Sequence, residues 1–356
     1  LWWALGILLA LGVHDYLPPD DRTAAATLRA RLIGVGVAIG VATASRFVNG
    51  LLGPLCALIV VVQAPPRWRR DTAIWGAWRM PLAAIATVYA IWPRLWAHPI
   101  ASLVESFHKL DAAHAPEPWL GGITNHPGPL YFAIYLAATL PLGVAIGVVA
   151  GAVRLIRRPD KSALITAACL IVPLGVALSP VRQDGVRYAM PCLLALALIA
   201  AAGFDQLAMW ARHRLAFAAI AAAAVAYLAV TLWRVHPYYL DYFGEQVGGA
   251  GQVAERGWFE TAWWGEGVDR AVDYVNAHAA PGARVDRRCI EPVHLAWFRD
   301  DLWAAMTDDP ARADWIVSYS PASHPCPVPR DARAVFEVTG GGVVFAIVYQ
   351  RAASGR

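Results

Sequence analysis

Charge is the scarce ingredient of this sequence. Only 16% of its 356 residues are Asp, Glu, Lys or Arg, against about 25% in a soluble domain. Apolar residues reach 58%, where a soluble domain holds about 45–50%, and the mean hydropathy is +0.44. A chain of this length would ordinarily form two or three soluble domains. The composition excludes them and indicates a polytopic membrane protein. An initiator Met is missing as well, and so are the charged start and small-residue cleavage site of a signal peptide. The chain opens inside an apolar run at Leu1, and the expectation is a true N-terminus further upstream. No HExxH or similar ligand spacing is present among the histidines, so neither a metal nor another cofactor is expected.

The charges that are present divide unevenly. Residues 1–235 hold 19 Lys/Arg against 10 Asp/Glu, and residues 236–356 hold 11 against 16. A basic membrane portion followed by an acidic soluble tail accounts for the split, and neither part reads as a nucleic-acid binder. The expected division is a transmembrane helical domain over 1–236 and a small α/β domain over 237–356.

Crossing about 30 Å of hydrocarbon takes ~20 apolar residues. Seven or eight runs are candidates: Leu1 to about Tyr16, 32–45, 48–63, 73–93, 128–153, 162–179, 188–205 and 216–235. The second and third are separated only by Arg46 and Phe47 and read as a tight helical hairpin. Gly34, Gly36 and Gly40, and again Gly143, Gly147 and Gly151, give small-residue faces for close helix packing. Loops 17–31, 64–72, 154–161 and 206–215 carry twelve Lys/Arg, and the alternating loops carry five. The positive-inside rule then puts the first set in the cytoplasm and the tail on the outer side, the periplasm or its equivalent.

Residues 94–127 form a long outer loop. Within it Ile100, Leu103, Val104, Phe107 and Leu110 recur every three or four residues, the pattern of an amphipathic helix lying on a membrane surface. In the tail, 265–279 has helical spacing and ends at Pro281-Gly282. Short β-rich runs follow at 283–290, 314–319, 333–338 and 343–350, the last two flanking Gly340-Gly341-Gly342 as a hairpin. Cys56, Cys169 and Cys192 sit within spans as small apolar residues. Cys289 and Cys326 are the only tail cysteines; in an oxidising outer compartment they form a disulfide, and two free thiols are the other reading.

Five runs, in order, resemble a known family. GVGVAIGVATASRFVNGLLGPL (34–55) is similar to a helical hairpin, and IWPRLWAHPIASLVESFHKL (91–110) to the segment opening the outer loop, of polytopic lipid-linked-sugar glycosyltransferases. HPGPLYFAIYLAATLPLGV (126–144) and RYAMPCLLALALIAA (187–201) resemble two of their helices. HPYYLDYFGEQVGGA with GWFETAWWGEG (236–267) resembles their entry into the tail. The family is the bacterial family-39 glycosyltransferases of GT-C architecture, relatives of protein O-mannosyltransferases and of the lipid A aminoarabinose transferase. The resemblance covers most of 30–350. It implies a mainly α, multi-pass protein of the bacterial inner membrane. It also implies transfer of a sugar, by inverting displacement, from a polyprenyl-phosphate donor to a lipid, polysaccharide or protein acceptor. The family's catalytic acid lies in a first outer loop that this sequence does not contain, so no residue here is assigned as the base.

Such a transfer needs donors aimed at the leaving phosphate. Arg46 stands at an outer turn, as a phosphate ligand or as a snorkelling anchor. Arg182, Arg187 and Tyr188, in the loop SPVRQDGVRYAMP, are further candidates, with Asp184 able to neutralise one of the arginines. His126 is a substrate contact or a helix-start residue. Glu260, Trp263, Trp264 and Glu266 form an aromatic and acidic cluster suited to sugar or acceptor contact, and interfacial tryptophan anchoring explains it equally. A membrane transporter or lipid flippase is the competing class, although the internal repeats common in transporters are not seen. A non-catalytic membrane scaffold is a third.

Overall fold

The computed structural model describes residues 1–16, 22–110, 116–178, 185–210, 215–290, 296–321 and 326–351. It is mainly helical and separates into two compact units. The first comprises Leu1–His114, Gly128–Ala137 and Gly143–Ala222; the second comprises Ala115–Pro127, Ala138–Leu142 and Ala223–Arg356.

In the first unit the apolar runs become helices. They are α1 (Trp2–Leu11), α2 (Arg22–Ser45), α3 (Leu52–Gln63), α4 (Arg69–Ile91), the single turn α5 (Arg94–Ala97) and α6 (Pro99–Leu110). After the segment that belongs to the second unit come α7 (Tyr131–Thr139), α8 (Leu142–Arg157), α9 (Lys161–Leu174) and α10 (Pro191–Trp210), and then α11 (Ala216–Val235), which belongs to the first unit up to Ala222 and to the second from Ala223. Four stretches are long and apolar enough to cross a membrane: Thr23–Ser45, Pro66–Ile91, Pro191–Trp210 and Ala216–Val235. None of the residues of α11 is buried against protein. A largely apolar helix with no fully buried residue is matched to lipid rather than water.

The helices depart from the sequence expectation most clearly at α2, α10 and the α7–α8 pair. α2 begins ten residues before the expected run at 32, because Arg22 to Arg31 (RTAAATLRAR) consists largely of strong helix formers. The expected loop at 17–31 is therefore helical from Arg22 on, and α10 likewise runs to Trp210, into the expected loop at 206–215. The expected single span over 128–153 is two helices, α7 and α8, with Leu140 and Pro141 between them. Pro141 has no N–H to donate and disfavours helix in the residue before it. At nine residues, α7 rises only about 14 Å.

The glycine faces divide by position. A Cβ on Gly36 or Gly40 would strike the backbone of α4 near Met80 and Ala84, whereas Gly34 has nothing closer than Leu9 at 3.9 Å. Gly147 and Gly151 of α8 lie against α10, where Gly203 meets the Gly147 carbonyl and Gly151 meets that of Ile199. Arg154 of α8 closes the same contact, paired with Asp205 of α10 at 2.5 Å and donating to the Ala202 carbonyl at 3.1 Å. α6 presents Ile100, Val104 and Phe107 as an exposed apolar stripe.

The second unit starts with the hairpin β1 (Glu117–Trp119) and β2 (Gly122–Thr124). It continues through α12 (Gly249–Glu255), α13 (Val268–His278), β3 (Val285–Arg288), α14 (Asp300–Ala304), β4 (Trp315–Tyr319), β5 (Ala332–Gly340) and β6 (Val343–Arg351). The sheet order is β3-β4-β6-β5, with β3 and β4 parallel and the other pairs antiparallel. Gly341 and Gly342 form the two-residue β5–β6 loop, both with positive φ, as a type I′ turn requires. Val268, Val272 and Val275 of α13 pack on Val317, Phe345 and Val348 of the sheet. Cys289 and Cys326 are joined by a disulfide, their Cα atoms 6.0 Å apart.

Candidate functional site

In the first unit, the turn after α2 meets the approach to α10. Arg46 is extended at the end of α2, and its backbone N–H still donates to the Ala42 carbonyl at 3.2 Å. Asn49 fixes the turn. Its amide donates to the Ala42 carbonyl at 3.1 Å and accepts from the Trp3 indole at 2.9 Å. Phe47 is wedged against Trp92 and Phe107, with ring centroids 5.1 and 5.3 Å away. The other side is set by α7. The Tyr131 hydroxyl accepts from the Gly185 N–H at 2.8 Å, and Phe132 meets the Tyr188 ring edge-on at 6.5 Å. Both α7 rings are fully buried, so the short segment leading to α10 rests on a packed aromatic base.

Three of the four expected donor-phosphate residues come together here. The Arg46 guanidinium carbon stands 4.6 Å from the centre of the Tyr188 ring, and that of Arg187 stands 5.1 Å from it. Arg46 Nη1 donates to the Arg187 carbonyl at 3.3 Å, and Arg187 Nη2 reaches the Tyr188 hydroxyl at 3.4 Å. No carboxylate of the described residues forms an ion pair with Arg46. Two guanidiniums converging on one ring raise a local positive potential, and a planar fork fits phosphate oxygens well. The arrangement is suited to an anion. Arg182 and Asp184 lie outside the described residues.

The remaining candidates lie in the second unit. His126 is exposed beyond β2, with its backbone N–H on the Thr124 hydroxyl at 3.0 Å. Glu260 is buried, and one of its oxygens accepts from the Thr261 N–H at 3.1 Å. Trp264 is half exposed, and Glu266 holds its backbone. Oε2 of Glu266 accepts from the Trp264 N–H at 2.9 Å and from the Tyr319 hydroxyl at 2.6 Å. Glu260 and Glu266 are thus bound into the loop leading to α13.

Asp241 completes this acidic group, and nothing in the sequence reading singled it out. It is 3% exposed. Its Oδ1 accepts the Ala262 N–H at 2.7 Å and so holds Ala262 at a φ of 66°, a conformation costing a non-glycine residue about 1–2 kcal/mol. Burial first, and then the charge of Glu266, push its carboxyl up to about 7. The usable signal was a lone acid inside the aromatic run Tyr238 to Phe243 just beyond the last apolar span. No family model, curated protein or solved structure matches the chain.

Proposed function

We propose that this chain is part of a multi-pass membrane glycosyltransferase that takes its sugar from a polyprenyl-phosphate donor. Support comes from one observation above the rest: Arg46 and Arg187, 141 residues apart in the chain, converge on the Tyr188 ring. Each guanidinium is a planar fork matched to phosphate oxygens, and a lipid-borne phosphate is an anion that reaches such a site from the membrane. In the proposed reaction an acceptor oxygen attacks the anomeric carbon as the bond from that carbon to the phosphate oxygen breaks, with inversion. The two guanidiniums and the Tyr188 hydroxyl stabilise the charge that gathers on the departing phosphate. The base that takes the acceptor proton has no assigned residue in this chain.

The same reading holds that seven or eight segments traverse a bacterial inner membrane in GT-C fashion, with the second unit on the outer side. The charge bias of the loops supports that orientation. A reporter active only outside the cytoplasm, fused after Arg356, is expected to give signal, and a cytoplasmic reporter to be silent. For the chemistry, the chain in nanodiscs is titrated with fluorescent polyprenyl phosphate, and the complete reading frame is assayed with radiolabelled polyprenyl-phosphate sugars. Arg46→Ala and Arg187→Ala are each expected to weaken phosphate binding at least tenfold, with unchanged thermal unfolding. Unchanged affinity in both variants would overturn the reading. So would translocation of the lipid by the complete protein with no sugar transfer, which is the outcome for a flippase.

A further inference from the structure

A groove of about 550 Å³ lies between α3 and α4 in the first unit. Its α4 wall runs from Thr72 to Ile85, about 20 Å along the helix axis. Gly53, Ala57 and Val61 of α3 form the facing wall, and of all the lining residues only Thr72 is polar. Ala57, Ala77, Pro81 and Ile85 line the groove and are exposed, so it opens at the outer surface of the helices. Its small residues are not small for helix packing. A Cβ on Gly53 would meet only Ile39, at 3.8 Å, and one on Gly76 only Met80 and Leu32, at 3.5 and 3.9 Å. These are ordinary contacts, whereas Gly36 and Gly40, packed on α4, have no such room. The groove is space that the protein itself leaves unfilled.

Val61 also lines a second, polar cleft of about 360 Å³, so the two spaces adjoin at that residue. Arg69 at the start of α4 and Lys161 at the start of α9 line the cleft, together with Asp160. Asp160 is engaged by its own helix: Oδ1 accepts the Ala163 N–H at 2.7 Å and caps α9. Arg69 uses only Nε, on the Ala64 carbonyl at 3.4 Å. Among the described residues neither Arg69 nor Lys161 forms an ion pair. Over 69–71 and 157–161 five basic residues stand against two acids, Asp71 and Asp160, which leaves this end positive.

The groove takes hydrocarbon and the cleft takes an anion, and one molecule carries both. We propose that the groove and cleft together bind an anionic phospholipid, with one acyl chain along α3 and α4 and the headgroup phosphate between Arg69 and Lys161. The length fits: one acyl chain fills about 15 Å, half of the ~30 Å hydrocarbon core. The headgroup chemistry fits too, since a guanidinium matches phosphate oxygens as a planar fork and an ammonium does so as a point charge. A zwitterionic lipid would bring a cation of its own to an already positive cleft. A free anion would leave the groove empty. The site is distinct from the one at Tyr188, because α3, twelve residues long, carries the chain about 18 Å from the Arg46 turn toward Arg69. The inference does not rest on the glycosyltransferase reading.

The test is native mass spectrometry of the whole chain in detergent micelles doped with equal amounts of dioleoyl-phosphatidylglycerol and dioleoyl-phosphatidylcholine. Phosphatidylglycerol is expected to be retained about tenfold more strongly. Arg69→Gln with Lys161→Gln should abolish that preference. Ala77→Phe, which fills the groove from α4, should lower phosphatidylglycerol retention about tenfold, and Arg46→Ala should leave it unchanged. Should Ala77→Phe fail to fold, as thermal unfolding will show, the exposed charge pair decides. Equal retention of the two lipids, or a preference untouched by the charge pair and by Ala77→Phe, would overturn the proposal. Inorganic phosphate competing as well as the lipid would reassign the cleft to a free anion. Polyprenyl phosphate displacing phosphatidylglycerol from Arg46→Ala protein would reassign the groove to a different lipid, and either result also overturns it. The measurement involves no sugar and no residue of the Arg46 site, so its failure leaves the glycosyltransferase reading standing, and the converse also holds.

Discussion

The guanidinium carbon of Arg46 lies 4.6 Å from the centre of the Tyr188 ring, within the ~6 Å range of a cation–π contact. Such a contact contributes about 0.5–2 kcal/mol, enough to change affinity more than tenfold at the upper end. The ring, more than its hydroxyl, is therefore what holds the two arginines together, since the Arg187 Nη2 contact with the hydroxyl is long at 3.4 Å. Tyr188→Phe is expected to alter polyprenyl-phosphate affinity less than threefold, and Tyr188→Leu to weaken it about tenfold. Titration of both variants in nanodiscs checks this; equal losses would show that the hydroxyl is the part that matters.

The α8–α10 contact supplies a packing prediction. Gly151 and Gly203 have no room for a Cβ without moving the facing backbone, and Gly34 has room. Gly151→Leu and Gly203→Leu are each expected to destabilise the protein by roughly 1–3 kcal/mol or more, as overpacking does. Gly34→Leu should be close to neutral. Thermal unfolding in one detergent ranks the three, and a Gly34→Leu loss as large as the others would contradict the assigned faces.

How much of this was legible in the sequence depended on the range of the interaction. Long apolar runs marked α4, α10 and α11 because hydropathy is a local property. The α7–α8 break was legible only through Pro141, and the surrounding run masks it. Arg46, Arg187 and Tyr188 stood out as polar residues beside apolar spans. Their sharing of one ring is a long-range fact that spacing does not encode. Gly203 was hidden because a lone glycine in an alanine-rich helix looks like filler until its partner helix is known. Asp241 was hidden for a similar reason: its hydrogen bond comes from Ala262 and its neighbouring charge from Glu266, which lie more than twenty positions downstream.

The disulfide closes a stretch of 37 residues. On chain entropy alone such a loop stabilises the folded state by about 4 kcal/mol. Cys289→Ser with Cys326→Ser is expected to lower the unfolding temperature of the second unit and to remove its sensitivity to dithiothreitol, with helix content of the first unit unchanged. Two thiols that react with maleimide in the unreduced protein would exclude the bond.

The last prediction follows from Asp241 and carries a definite sign. Burial, then the Glu266 charge and to a smaller degree Glu260, hold its carboxyl near 7 against an ordinary 3.8, and the Ala262 N–H opposes them in part. Below about pH 4 the group is protonated both folded and unfolded, and its contribution to stability is fully present. Between pH 4 and 7 the unfolded chain releases the proton and the folded chain retains it. The unfolded state then binds fewer protons, and stability falls as pH rises. The gap between 3.8 and about 7 bounds that loss at about 4 kcal/mol. Asp241→Asn keeps the size of the side chain and an oxygen for the Ala262 N–H, but has nothing to titrate. It also turns an N–H₂ group toward the carboxylates that raise the native residue. The variant should therefore match the natural protein near pH 4 and exceed it near pH 8. Subtracting the two unfolding curves at pH 4, 6 and 8 isolates Asp241 from the carboxylates that titrate in the opposite sense, Asp301 and Glu245, both of which sit lowered. A difference that stays flat across the three pH values would mean that Asp241 is ionised in the folded protein throughout, with a counter-cation beside it.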